Sequence, residues 1–194
     1  MYKIILIIKK KIIFAADFEK RSPKTEFYPP KNNKMRLITT SSELVSYENE
    51  QELDPIRADL LKRAKHAAAN AYAPYSKFKV GSALLLSNGE IIIGSNQENA
   101  AYPLTMCGER VALFAASAVY PQEQILKIAI TVISEKKNVS KPLTPCGACR
   151  QTLLENEYRT GADIELILQG DTGEVYVVKT VKDILPFIFD ASFL

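Results

Sequence analysis

Histidine occurs once in the 194 residues, as His66. That excludes a serine-histidine-aspartate triad with any spare histidine, and every metal site built on two histidines. Cysteine is also scarce, and three residues cannot make a disulfide framework. No apolar run approaches the roughly 18 residues needed to cross a bilayer. Charge of one sign is not in large excess: 25 Lys and Arg face 22 Asp and Glu, a net of +3. So small a balance implies neither a nucleic-acid polymer nor a lipid surface as partner. What remains is ordinary globular composition, 47% hydrophobic and 24% charged, over a length that suits one domain with an appendage.

The charge is unevenly placed. Residues 1–34 carry nine basic and three acidic groups, leaving 16 basic and 19 acidic groups on residues 35–194. The positive charge therefore belongs to the first segment. Its apolar run at residues 4–8 is interrupted at once by Lys9, Lys10 and Lys11, too soon for the 7–15 apolar residues of a secretory signal. Pro29, Pro30, Asn32 and Asn33 then form a breaker cluster. We read residues 1–34 as a basic, dispensable extension and residues 35–194 as the functional domain. The run MRLITT, residues 35–40, reads as its first strand.

Asp54 and Pro55 can cap and open a helix, and Ile56, Leu60, Leu61, Ala64, Ala67, Ala68 and Ala71 recur at helical spacing. A hairpin follows, with apolar arms at 78–85 and 91–93 around Ser87, Asn88 and Gly89. Its alternation breaks at Gly81 and Ser82. Residues 108–119 suit a helix, 128–133 a buried central strand, 147–155 a short helix, and 164–168 and 175–178 two further strands. A last short helix starts at Val181 and is bounded by Pro186. This order predicts one mixed sheet with helices on its faces.

All three cysteines lie in two short segments, MCGER and PCGAC, each where a loop enters a predicted helix. Three thiolates can hold zinc tetrahedrally and leave the fourth place for water. Helix N-termini favour thiolates, because unpaired N–H groups point outward there. Cys146 and Cys149 alone could equally be a redox pair or two small buried residues, but that leaves Cys107 and Glu109 without a role. His66 lies between Lys65 and Ala67 within a helix and is expected at its solvent edge, not on a metal. Glu109 can be an ordinary acidic residue at a helix start. Beside three candidate ligands it can also take a proton from water and redeliver it. Arg110 is either a surface residue or a donor to the thiolates that offsets their charge.

These residues resemble the cytidine deaminases of nucleoside salvage, in the small-subunit class with three cysteine ligands. The resemblance runs from about Leu53 to Phe189, through YAPYSKFKVGSALL, NQENAAYPLTMCGERVALFAA and TPCGACRQTLLE. It implies a three-layer α/β/α sandwich around a mixed five-stranded sheet. It implies Cys107, Cys146 and Cys149 as ligands of one zinc per subunit, and Glu109 as proton shuttle. Asn96 and Glu98 would bind the ribose hydroxyls, Phe78 would stack on or line the base pocket, and Tyr102 would join the nucleoside pocket across a subunit boundary. The N–H of Gly108 and carbonyls near Thr144 and Pro145 would orient the base. Gln151 would support its loop, and Phe189 would close a neighbouring subunit's site in a homotetramer. The implied partners are free cytosine nucleosides and the implied location is cytoplasmic.

Gly108 departs from the pattern, which usually has alanine there, and we expect the change to remove a methyl from the pocket wall. A blasticidin-type deaminase shares the zinc segments, but Asn96, Glu98 and Phe189 favour the ordinary nucleoside. A polynucleotide editor needs a basic stripe, and the domain is slightly acidic. A structural zinc or redox protein would need no exchangeable water, or thiols that cycle independently of Cys107.

Overall fold

Alternation along the strands decides which side of the sheet each helix covers. A computed structural model of the chain describes residues 38–194. The regular elements are β1 (Val45–Tyr47), α1 (Pro55–Ala69), β2 (Phe78–Leu86), β3 (Ile91–Ser95), α2 (Gly108–Val119), β4 (Ile125–Ser134), α3 (Gly147–Thr160), β5 (Glu165–Gln169) and β6 (Val175–Val178). Leu84, Leu86, Ile128, Ile130, Leu166 and Leu168 share a core with Leu113 of α2 and with Leu153 and Leu154 of α3. The residues between them, Ala83, Ala129 and Ile167, join Leu60, Leu61 and Ala64 of α1 in a second core. Period-two side chains thus put α2 and α3 on one face and α1 on the other. The three-layer α/β/α arrangement follows.

The sheet has six strands, in the order β1-β6-β5-β4-β2-β3, where five were expected. Among the described strands only β4 and β5 run parallel. The additional strand is β1, which pairs antiparallel with β6 through Val45–Val177, Ser46–Tyr176 and Tyr47–Val175. It occupies what would otherwise be an open edge. The strand expected over 35–40 does not form at its described residues: 38–40 have no regular structure, and Ile38 is 71% exposed. An apolar run becomes a strand only where an edge is free to pair, and β6 pairs with 45–47. The proposed extension, residues 1–34, lies outside the described residues. Residues Ser42–Leu194 form one compact unit.

The local signals behave as their chemistry requires. Asp54 caps α1 by accepting from the N–H groups of Ile56 and Arg57, both at 3.1 Å. Gly89 takes φ 85° in the hairpin turn. Helix α3 runs past the expected 155 to Thr160 and stops where Gly161 adopts a left-handed φ of 69°. Its buried Glu157 accepts from the N–H groups of Ile164 (2.8 Å) and Val181 (2.9 Å), fixing that end of the helix. The last short helix, Val181–Ile184, is a 3-10 turn.

Two glycines let helices approach the sheet closely enough to place the site. A Cβ on Gly81 would lie 2.0 Å from Ala64 O of α1. A Cβ on Gly94 would lie 2.5 Å from both Ala112 N and Gly108 O of α2. The break in alternation at Gly81 and Ser82 is thus a packing device, because Ser82 Oγ donates to Gly108 O at 2.9 Å. Backbone stands against the added methyl at Gly81 and cannot rotate away. Gly81→Ala is expected to cost about 3 kcal/mol or more, lowering Tm by roughly 6–12 °C in a domain of this size. A melting temperature within a degree of the parent's would contradict the close approach of α1 and β2.

Candidate metal centre and active site

Two helices begin at the same place, and each begins on a cysteine. Cys107 is the N-cap of α2 and Cys146 the N-cap of α3, both with extended backbone angles. An N-cap side chain lies beside the unpaired N–H groups of the first turn, which favour negative charge. Cys149 follows one turn into α3 and is fully buried. The three Sγ atoms lie within 4.8 Å of one another, with Cys107–Cys146 at 3.8 Å and Cys146–Cys149 at 3.4 Å. Sulfurs on a tetrahedral zinc with bonds of about 2.3 Å stand about 3.8 Å apart. The donor set and its spacing fit that ion. His66 is exposed in the last turn of α1 and has no part in the cluster.

Electrostatics within the cluster explain why it suits a cation. Cys107 ionises easily, near pH 5, because the Cys149 thiol donates to its sulfur, and Arg110 and Cys146 do so as well, against the opposing effect of burial. Cys149 is pushed strongly upward by its bond to Cys107, then by burial and the charges of Glu109 and Cys107. One thiolate is stable here; a second charge beside it is not, unless a metal ion lies between them. Arg110 reaches Cys107 Sγ with Nη2 at 3.8 Å, and its own proton is held more tightly for that reason. Its buried Nε has no acceptor among the described residues.

Glu109 occupies the first turn of α2 and is 4% exposed. Burial raises its carboxyl above the usual range, and the charge on Cys107 adds to the effect. A carboxyl in that condition is closer to exchanging a proton at neutral pH than an exposed one.

The other expected site residues are brought together by contacts that the sequence does not display. Gly108 faces β2 and β3: a Cβ there would meet Val80 O at 3.0 Å, and Asn96 N and Ser95 Cα at 3.3 Å. The methyl that alanine would add would point at these strands. Asn96 is nearly buried and spans to β2, with Oδ1 accepting from Val80 N at 2.7 Å and Nδ2 donating to Phe78 O at 3.0 Å. It thereby fixes half-buried Phe78. Glu98 accepts from the N–H groups of Tyr75 (2.9 Å) and Ser76 (3.3 Å). Slight burial raises its carboxyl, but bonds from Ser76 and Tyr75 outweigh this and hold it below the usual range. They also hold the turn into Phe78, where Lys77 takes a left-handed φ of 60°, unfavourable for a residue with a Cβ. The Tyr102 ring is 72% exposed and meets Tyr75 edge to face, with centroids 6.1 Å apart. Phe189 stacks on Phe193 at 5.6 Å, and its carbonyl accepts from Gln151 Nε2 at 2.8 Å.

Three contributors were not anticipated: Ser82, Gly94 and Arg150. Gly94 carried a visible signal, since glycine inside a strand marks a close approach. The role of Ser82 was legible only as the broken alternation. Arg150 donates to Pro145 O at 2.8 Å, Thr144 Oγ1 at 3.2 Å and Ile184 O at 2.8 Å, partners that no local pattern reveals. The carbonyl of Pro145, expected to face the base, accepts one bond from Arg150.

Residues 56–160 match the family model described as the cytidine and deoxycytidylate deaminase zinc-binding region. The chain is 44% identical over 139 residues to the cytidine deaminase of Halalkalibacterium halodurans, covering 70% of this chain and 96% of that protein. Its fold is similar to the crystal structure of cytidine deaminase from Burkholderia pseudomallei, with TM-score 0.59 and 41% identity over 68% of this chain and 97% of that one. The Mycobacterium tuberculosis cytidine deaminase structure gives TM-score 0.55 at 31% identity, covering 71% and 99% of the two chains.

The purified protein is expected to carry about one zinc per chain, as a single three-thiolate site requires. Cys146→Ala removes an exposed ligand and should lose most of that zinc while the chain stays folded. Elemental analysis beside circular dichroism reads both. Full zinc retention by a folded C146A would contradict the ligand set.

Proposed function

The chain belongs to the cytidine deaminase family, and from that premise we propose that it hydrolyses cytidine and deoxycytidine to uridine and deoxyuridine, releasing ammonia, in pyrimidine salvage. The observation that carries this reading is the joining of a three-cysteine cluster to a buried glutamate in the same helix turn. We assign the domain to residues 35–194 and the location to the cytoplasm, where three ligand thiols stay reduced.

Cys107, Cys146 and Cys149 would hold the zinc, which when bound supplies the Lewis acidity that brings deprotonation of water towards neutral pH. Glu109 accepts the proton of the attacking water and delivers it to N3 of the pyrimidine as the oxygen adds to C4. The same carboxyl then relays a proton to the 4-amino group, and the C4–N bond breaks to release ammonia. Its raised affinity for protons suits a group that must both take and give one. Arg110 offsets the charge of the thiolates by donating to Cys107.

The Gly108 N–H binds the base, and Phe78 packs on it. Asn96 retains one amide proton after its bond to Phe78 O, and Glu98 retains one carboxylate oxygen after its bonds to Tyr75 and Ser76. A donor and an acceptor two residues apart suit a pair of ribose hydroxyls. Tyr102 and Phe189 complete the site across subunit contacts in a homotetramer. This accounts for the exposure of Tyr102 (72%), Leu104 (68%), Phe187 (85%) and Phe193 (68%), more large apolar surface than a solitary chain normally presents.

Glu109→Gln keeps the shape and removes the proton carrier. It is expected to retain the fold and zinc and to lose at least about a hundredfold in turnover. A rate within tenfold of the parent at equal zinc would reject the assigned role. Light scattering over a dilution series should give four chains per active particle, and a fully active monomer would reject the shared site. Phe189→Ala should weaken substrate use while zinc remains bound. Unchanged kinetics at equal zinc occupancy would remove Phe189 from the site.

A further inference from the structure

Two consecutive residues directly after Cys149 reach from α3 to one stretch of chain. Arg150 Nη1 donates to Ile184 O and Gln151 Nε2 to Phe189 O, both at 2.8 Å. Arg150 also donates to the loop before Cys146, Nε to Pro145 O at 2.8 Å and Nη2 to Thr144 Oγ1 at 3.2 Å. One guanidinium therefore spans the loop before Cys146 and the segment that carries the C-terminal aromatics. The planar fork of five N–H donors suits this, since its Nε, Nη1 and Nη2 can each meet a separate acceptor.

The C-terminal segment depends on such donors. Between the turns Val181–Ile184 and Ala191–Phe193 it has no helix or strand to satisfy its backbone. Leu185 and Ile188 pack against the core shared with Leu153 and Leu154 of α3. Phe187 and Phe189 are exposed. The inner side chains anchor the segment, and the bonds from Arg150 and Gln151 fix how the outer rings are presented.

We infer that Arg150 is a positioning residue that locks the Thr144–Pro145 loop to the C-terminal segment, so that one side chain sets both its own chain's base-binding edge and the aromatic ring offered to a neighbour. This rests on the deaminase reading, with Phe189 acting in the neighbouring site. A merely structural arginine would change stability alone. The lock instead predicts that substrate binding changes with the mobility of the segment.

The test uses the full zinc-loaded protein with Arg150→Gln, Arg150→Lys, Gln151→Ala, Phe189→Ala and the R150Q–F189A double variant. R150Q should retain zinc, raise KM for cytidine roughly tenfold with kcat little changed, and speed amide exchange over residues 181–194 by a similar factor. R150K should recover only part of the KM. Phe189→Ala should raise KM less in the R150Q background than alone, because the ring is already misplaced. Unchanged exchange in R150Q, or effects of the two substitutions that multiply in full, would overturn the inference. So would loss of zinc from folded R150Q, which would confine Arg150 to the metal loop. If R150Q does not fold, Q151A decides: faster exchange near Phe189 with zinc kept supports the lock, and unchanged exchange refutes it. A zinc-loaded parent that releases no ammonia would end the deaminase reading, while the exchange arm judges the lock without turnover.

Discussion

The meeting of two helix N-termini, each capped by a cysteine, is the constraint around which the rest of the chain is arranged. Cys107 and Cys146 approach to 3.8 Å because α2 and α3 pack on one face of the sheet and their N-termini meet. Helix α2 is held there by the absence of a side chain at Gly94 and by the bond from Ser82 to Gly108 O. Helix α3 is held at its far end by Glu157 and along its length by Leu153 and Leu154. Ordinary packing forces thus hold the three soft ligands together.

That arrangement creates an electrostatic problem which the ion resolves. Helix N-termini and Arg110 favour a thiolate on Cys107, yet the same thiolate opposes ionisation of Cys149 and of Glu109. A divalent cation among the sulfurs removes the opposition at the ligands. Glu109, in the first turn of the same helix as Cys107 yet not a member of the sulfur cluster, has its carboxyl raised above the usual range chiefly by burial. Two residues of helix spacing separate Cys107 at the cap from Glu109 within the first turn.

Much of this was legible in the sequence where a residue type and its spacing carry the chemistry. Cys107, Cys146, Cys149 and Glu109 stand in two short segments, and Asn88 and Gly89 mark the hairpin unaided. The limits of α2 at 108 and 119 follow from its apolar spacing. Long-range geometry was not legible. Strand β1 is three residues long and exists because β6 has an edge to pair. The direction of a methyl at Gly108 depends on where β2 and β3 pass, and the amide of Asn96 is engaged by a strand 16 and 18 residues away. Arg150 meets Ile184 across 34 residues, a partner that no periodicity announces.

Within one chain Cys146 of the cluster is exposed, and the C-terminal rings of Phe189 and Phe193 stack on each other. The central claim remains chemical: this cluster and this carboxyl remove an amino group from a cytosine nucleoside. The direct measurement is ammonia released from cytidine and deoxycytidine by the zinc-loaded protein, with metal content and nucleoside product determined on the same sample. The account predicts ammonia and the matching uracil nucleoside in equal amounts, in proportion to bound zinc. A fully zinc-loaded, folded protein that releases no ammonia from either nucleoside would contradict it.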